Sequence, residues 1–185
     1  SVVALAGVTM LEFGYPMQAD VLLFLFFGTV VGYNFVKYAG VANLHHLERT
    51  PFLKSIRICP AMAIVGLTYQ AFQLPIIVLV YSGAFGSLTI LYAFPFLKGR
   101  NLRSLKGLKI YIIAIVWAGS TVVVPLVAET AIATTHVWIE FFARFLFVIA
   151  LTLPFEIRDL KYDPAELGTL PELIGVHKTR WLGVA

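Results

Sequence analysis

Long apolar runs separated by short charged stretches set the plan of the chain. Four of them, Val21–Ala39, Pro75–Phe94, Leu108–Ala128 and His136–Phe155, contain few charged residues. A helix rises about 1.5 Å per residue and the hydrocarbon core of a bilayer is about 30 Å thick, so about 20 such residues span it. A fifth run, Ile58–Leu74, is slightly short but carries no charge. Ser1–Phe13 is also apolar and reads as the tail of a span whose start is missing. The pattern predicts an all-α polytopic transmembrane bundle with six spans, residues 1–185 forming one domain. Gly66, Gly83, Gly86, Gly119, Pro125 and Pro154 fall inside these runs. They are compatible with membrane helices, because neighbouring helices re-satisfy backbone groups and small residues allow close approach.

Composition agrees with the pattern. The chain is 59% hydrophobic and 13% charged, with a mean hydropathy of +0.87, which excludes an ordinary water-soluble domain and a disordered one. Cys59 is the single cysteine, so no internal disulfide can form. Charge then gives direction. Lys37, Arg49, Lys54 and Arg57 follow the second run; Lys98, Arg100, Arg103, Lys106 and Lys109 surround the fourth loop; Arg158, Lys161, Lys178 and Arg180 follow the sixth. Only Arg144 of the 14 basic residues is left over, and the alternate connections around Glu12–Asp20, Gln73 and Glu129–Thr135 hold no Lys or Arg. By the positive-inside rule, the loops at about 40–57, 95–107 and 156–180 face the cytoplasm of a multi-pass protein, most simply in the cell (inner) membrane. The net charge of +4 is thereby assigned to topology and lipid headgroups, with no nucleic-acid partner implied.

Candidate chemistry lies at the end of the sixth run. Glu156, Asp159 and Asp163 are three and four residues apart, within about 60° of one another on a helix. Converging carboxylates suit Mg²⁺, which keeps waters and bridges to phosphates. The same spacing also describes a solvated helix end with Arg158 and Lys161 as counter-charges. Pro164 disfavours helix at Asp163. Gly168-Thr-Leu-Pro-Glu-Leu-Ile-Gly175 follows and reads as a turn.

Together, Glu156-x-x-Asp159-x-x-x-Asp163 and the Gly-Thr-Leu-Pro turn resemble the second aspartate-rich motif of the UbiA-type membrane prenyltransferases. Tyr92-Ala-Phe-Pro-Phe-Leu-Lys98-Gly-Arg100 is similar to that family's aromatic–proline–basic segment. The resemblance implies a bundle of about nine spans, of which this chain would hold about six and lack the last three or so. It implies Mg²⁺-dependent transfer of a prenyl group from an isoprenyl diphosphate to an aromatic or lipid-like acceptor. Asp159, Asp163 and Glu156 would hold the metal. Lys98, Arg100, Lys37 and Arg158 would stabilise the leaving diphosphate, and Asn34, Tyr33 and Tyr92 would border the substrate.

The first aspartate-rich motif departs from the family. Asn34 matches, but Lys37 and Tyr38 stand where acids are expected. Three readings follow: Lys37 replaces a metal as the fixed positive charge, His45 and His46 supply ligands, or the chain binds isoprenoid lipid without transferring it. Elsewhere, Glu140 and Arg144 are four apart and can satisfy each other within a span. Phe24, Phe26, Phe27, Phe141, Phe142, Phe145 and Phe147 suit either an isoprenoid pocket or a lipid-facing surface. The topology makes a direct prediction. A reporter fused beside Arg100 reads out inside the cell and one fused between Glu129 and Thr135 reads out outside; the reverse pattern refutes the assignment.

Overall fold

A computed structural model describes residues 1–39, 51–93, 108–129, 134–160 and 170–183, and every element among them is helical. Helix α1 (Val2–Glu12) ends where Gly14 adopts a positive φ of 72°. There Tyr15 N–H donates to Met10 C=O at 2.8 Å and Gly14 N–H to Leu11 C=O at 3.1 Å, closing the helix end with its own carbonyls. Helix α2 (Ala19–Ala39) follows, then α3 (Pro51–Gln73) and α4 (Ile76–Ala93). Proline at the first position of α3 loses only an N–H that the helix leaves unpaired. The next three segments make one rod: α5 (Leu108–Ala118), a π-helical turn (Gly119–Val123) and α6 (Val124–Ala128). Helix α7 (Thr135–Asp159) and the short α8 (Leu170–Ile174) and α9 (Val176–Leu182) complete the described chain.

Four helical segments, Ala19–Lys37, Ile76–Ala93, Leu108–Ala128 and Thr135–Arg158, are long and apolar enough to cross a bilayer. Helix α1 is the shorter apolar helix that the run Ser1–Phe13 predicts. The remaining expected span differs: α3 has the length but is diluted by Lys54 and Arg57 near its start and Thr68, Tyr69, Gln70 and Gln73 near its end.

The rod is the hub. Its apolar window is 61% buried, against 17% to 22% for the other three spans. Ile110, Ala114, Ala118, Val122 and Leu126 form its innermost row, all 2% exposed or less. Every residue from Thr121 to Val127 is buried as well, so the rod is enclosed on all sides at its π turn. Pro125 stands just beyond it, and a proline withdraws one N–H from the ladder. The wider turn carries the chain up to that defect: Val124 N–H reaches back five residues to Gly119 C=O.

Side chains seat on this hub through glycine. The Phe85 ring of α4 lies against Gly119, where any Cβ would overlap it. Likewise a Cβ on Gly66 of α3 would sit 2.7 Å from the Phe27 ring of α2. Val2, Ala6 and Met10 of α1, Val21 and Leu25 of α2, Val78 of α4, and Val124 and Val127 of α6 form the main apolar cluster. Gly119→Ala is expected to lower stability by about 1–3 kcal/mol, the usual cost of overpacking. Gly83→Ala, where nothing lies within 4 Å of the added methyl, should leave it unchanged or slightly raised. Thermal unfolding in detergent compares the two, and equal midpoints would contradict the close ring–glycine seat.

Candidate functional site at the charged end of the bundle

Helix α7 presents two faces. Val137, Arg144 and Val148 are buried along one stripe, and Leu153 and Glu156 are buried further round the helix near its end, whereas Trp138, Ile139, Phe142, Leu146, Phe147, Leu151 and Phe155 are exposed. A span with apolar side chains on its outer face and charges on its inner one suits a bilayer, where an unpaired charge is costly. Phe26 of α2 is also half exposed, and Phe27 is committed to Gly66. Of the phenylalanines considered for an isoprenoid pocket, Phe26, Phe142 and Phe147 therefore point outward.

The end of α7 carries charge chemistry. Lys109 in the first turn of α5 places Nζ 2.9 Å from Glu156 Oε1, and the Glu156 side chain is only 6% exposed. This pair brings the start of α5 and the end of α7 to one end of the bundle. Arg158 is exposed on the same end, with its guanidinium 5.3 Å above the Phe155 ring. Asp159 is the last residue of α7, with its side chain outside the described residues. Asp163, Lys98, Arg100, His45 and His46 also lie outside them.

The remaining expected residues lie on other helices. Tyr92 is buried at the end of α4. Asn34 on α2 donates its amide to Val30 C=O at 2.8 Å, turning that donor onto its own helix. Tyr33 is 67% exposed and Lys37 is exposed, both on the outward face of α2 that carries Phe26. Helix α2 packs chiefly on α1, α3 and α4, whereas α7 packs on α5, the π turn, α8 and α9. The structure thus gathers Lys109, Glu156 and Arg158 at one place and sets Tyr33, Asn34 and Lys37 on a different helix pair. No group of three His, Cys, Asp or Glu side chains able to hold a metal occurs among the described residues. Lys109 is the participant that loop counting concealed. Its sequence signal was its position inside the apolar run rather than before it.

A second charged group lies toward the other end. Arg144, 6% exposed, donates to Glu140 Oε1 at 2.7 Å, to Leu5 C=O at 3.1 Å and to Thr9 Oγ1 at 3.3 Å. Glu12 Oε2 is 3.9 Å away, near enough to add to the field. The expected Glu140–Arg144 pair is present, and it also fastens α7 to the backbone of α1. Nearby, the Phe13 and His136 rings pack with centroids 4.7 Å apart and tilted 45°, and the Gln18 amide donates to Glu129. Both contacts join the α1–α2 turn to the rod and α7.

Comparison with protein-family models, with curated proteins and with solved structures finds no match to this chain. The helices define its class: an all-α membrane protein whose charges are gathered at the ends of its spans or paired between them.

Removing Arg144 leaves Glu140 inside without its partner, so Arg144→Met should cost about 3–5 kcal/mol, the scale of a broken buried ion pair. Arg144→Met with Glu140→Gln removes both charges and should regain most of that loss. Unfolding midpoints in detergent report it; additive losses in the double variant would mean that the pair is not coupled.

Proposed function

We propose that this chain is part of a membrane prenyltransferase of the UbiA type, transferring a prenyl group from an isoprenyl diphosphate to an aromatic or lipid-like acceptor. The observation that carries the reading is the end of α7. An apolar span runs directly into Glu156 and Asp159 where Lys109 and Arg158 are also present, so carboxylates and cations share one edge. The Asp159-x-x-x-Asp163 spacing and the following Gly168-Thr-Leu-Pro171 sequence supply the family likeness, although Leu170–Ile174 forms helix α8 and not the expected turn.

The donor chemistry suits Mg²⁺: Asp159 and Asp163 would hold it, with Glu156 kept in place by Lys109. When bound, that ion would neutralise charge on a diphosphate. The chain's own contribution is electrostatic. Arg158, with Lys98 and Arg100 from the neighbouring loop, would face the diphosphate as its bond to the allylic carbon breaks and negative charge collects on the leaving oxygen. The helices would hold the prenyl chain in an apolar setting from which water is excluded, so that the acceptor rather than water captures the allylic carbon.

A second reading has its own support. Lys37 stands where a family aspartate is expected, and the Glu156 carboxylate already faces an ammonium. Both favour a relative that holds isoprenoid lipid without turnover. Purified full-length protein, supplied with prenyl diphosphates and aromatic or lipid-like acceptors, decides between them. Mg²⁺-dependent diphosphate release that falls about 10²-fold or more in Asp159→Asn supports the enzyme. Saturable binding with no release supports the lipid-holding relative. Release that is unchanged in Asp159→Asn and Asp163→Asn rules out the assigned site.

A further inference from the structure

Beyond the α7 span the chain makes a short helical foot that the prenyl-transfer reading does not use. Gly175 separates α8 from α9 with φ of 85°, a left-handed conformation that glycine adopts without strain and that lets α9 turn back along α7. Thr179 is fully buried, and its hydroxyl donates to Gly175 C=O at 2.9 Å. A Cβ on Gly183 would lie 3.3 Å from Leu153 Cδ1 of α7. That contact fixes the depth of the foot. Leu153 is six residues before Asp159, about 9 Å along the helix from the charged edge. With the charged edge at the headgroups, the far end of α9 would lie at the boundary between acyl chains and headgroups, where interfacial helices sit about 5–10 Å deep.

The side chains match that depth. Trp181, two residues after Thr179, points about 160° away from the buried face and is 67% exposed. Leu182 and Leu173 are similarly exposed, at 57% and 63%. Lys178 and Arg180 are exposed on either side of Trp181, and the His177 ring lies 6.4 Å from the indole. Arg158 adds a third cation at the end of α7, and Glu172 on α8 is the acidic neighbour. Exposed indole and leucine beside paired bases describe a surface that suits the headgroup region of a bilayer better than it suits water.

We propose that α8 and α9 form an interfacial foot that binds the headgroup phosphate of an anionic phospholipid. Trp181 and Leu182 enter the acyl boundary, and Lys178 and Arg180 take the phosphate. The inference is independent of prenyl transfer and holds equally for an enzyme and for a lipid-holding relative.

Trp181 is its own reporter. The full chain carrying Trp117→Phe and Trp138→Phe is reconstituted in phosphatidylcholine vesicles containing phosphatidylcholine or phosphatidylglycerol brominated near the carbonyl end. Brominated phosphatidylglycerol should quench Trp181 more strongly than brominated phosphatidylcholine. Lys178→Gln and Arg180→Gln should each reduce that preference by about fivefold. If the triple-tryptophan background is needed for folding, the difference between the unaltered chain and Trp181→Phe gives the same quantity. Equal quenching by the two lipids overturns the phosphate site. No quenching by either places Trp181 in water or against a second copy of the chain and overturns the foot altogether.

Discussion

Within the hydrocarbon of a bilayer there is no water to satisfy a peptide N–H or a charged side chain, and the organisation of this chain follows from that constraint. Every secondary-structure element among the described residues is helical, and the apolar side chains are turned outward as readily as inward. Arg144, the one basic residue placed well inside a span among the described residues, is the clearest case. It is held by a carboxylate, a hydroxyl and a backbone carbonyl drawn from α7 and α1. Alone, such a charge would oppose insertion; partnered across two helices, it becomes the tie between the first helix and the last long one.

Packing carries the same logic to the hub. Between membrane helices, lipid is as apolar as leucine, so close van der Waals fit replaces the hydrophobic effect as the source of association. Gly119 and Gly66 permit that fit by removing the side chain that would hold Phe85 and Phe27 away. At the π turn the rod is enclosed on all sides, and the chain reaches Pro125 with Val124 still bonded to Gly119.

Sequence patterning made part of this legible. Apolar length located α2, α4, the rod and α7, because each is long enough to be read from its own composition. The spacing of Glu140 and Arg144 announced their ion pair, because both residues lie on one helix. What could not be read were relations between helices. Nothing near Arg144 in sequence points to Leu5 and Thr9, more than 130 residues away. Lys109 counted as one more loop cation until the fold set it against Glu156. The candidate site divides in the same way. Glu156 and Arg158 share a helix end, as their spacing implied. Tyr33, Asn34 and Lys37 belong to a helix whose principal neighbours are α1, α3 and α4.

The charged end of α7 is thus an edge where an apolar bundle meets the Lys109–Glu156 pair and Arg158, and the proposed ligand would bring an apolar chain and a diphosphate head to it. Equilibrium binding of a non-hydrolysable isoprenyl thiolodiphosphate to the reconstituted chain, with and without Mg²⁺, tests this most directly because it needs neither acceptor nor turnover. The account predicts saturable binding that Mg²⁺ strengthens and that Asp159→Asn weakens. Absence of saturable binding under both conditions, in protein whose thermal unfolding shows it folded, would contradict it.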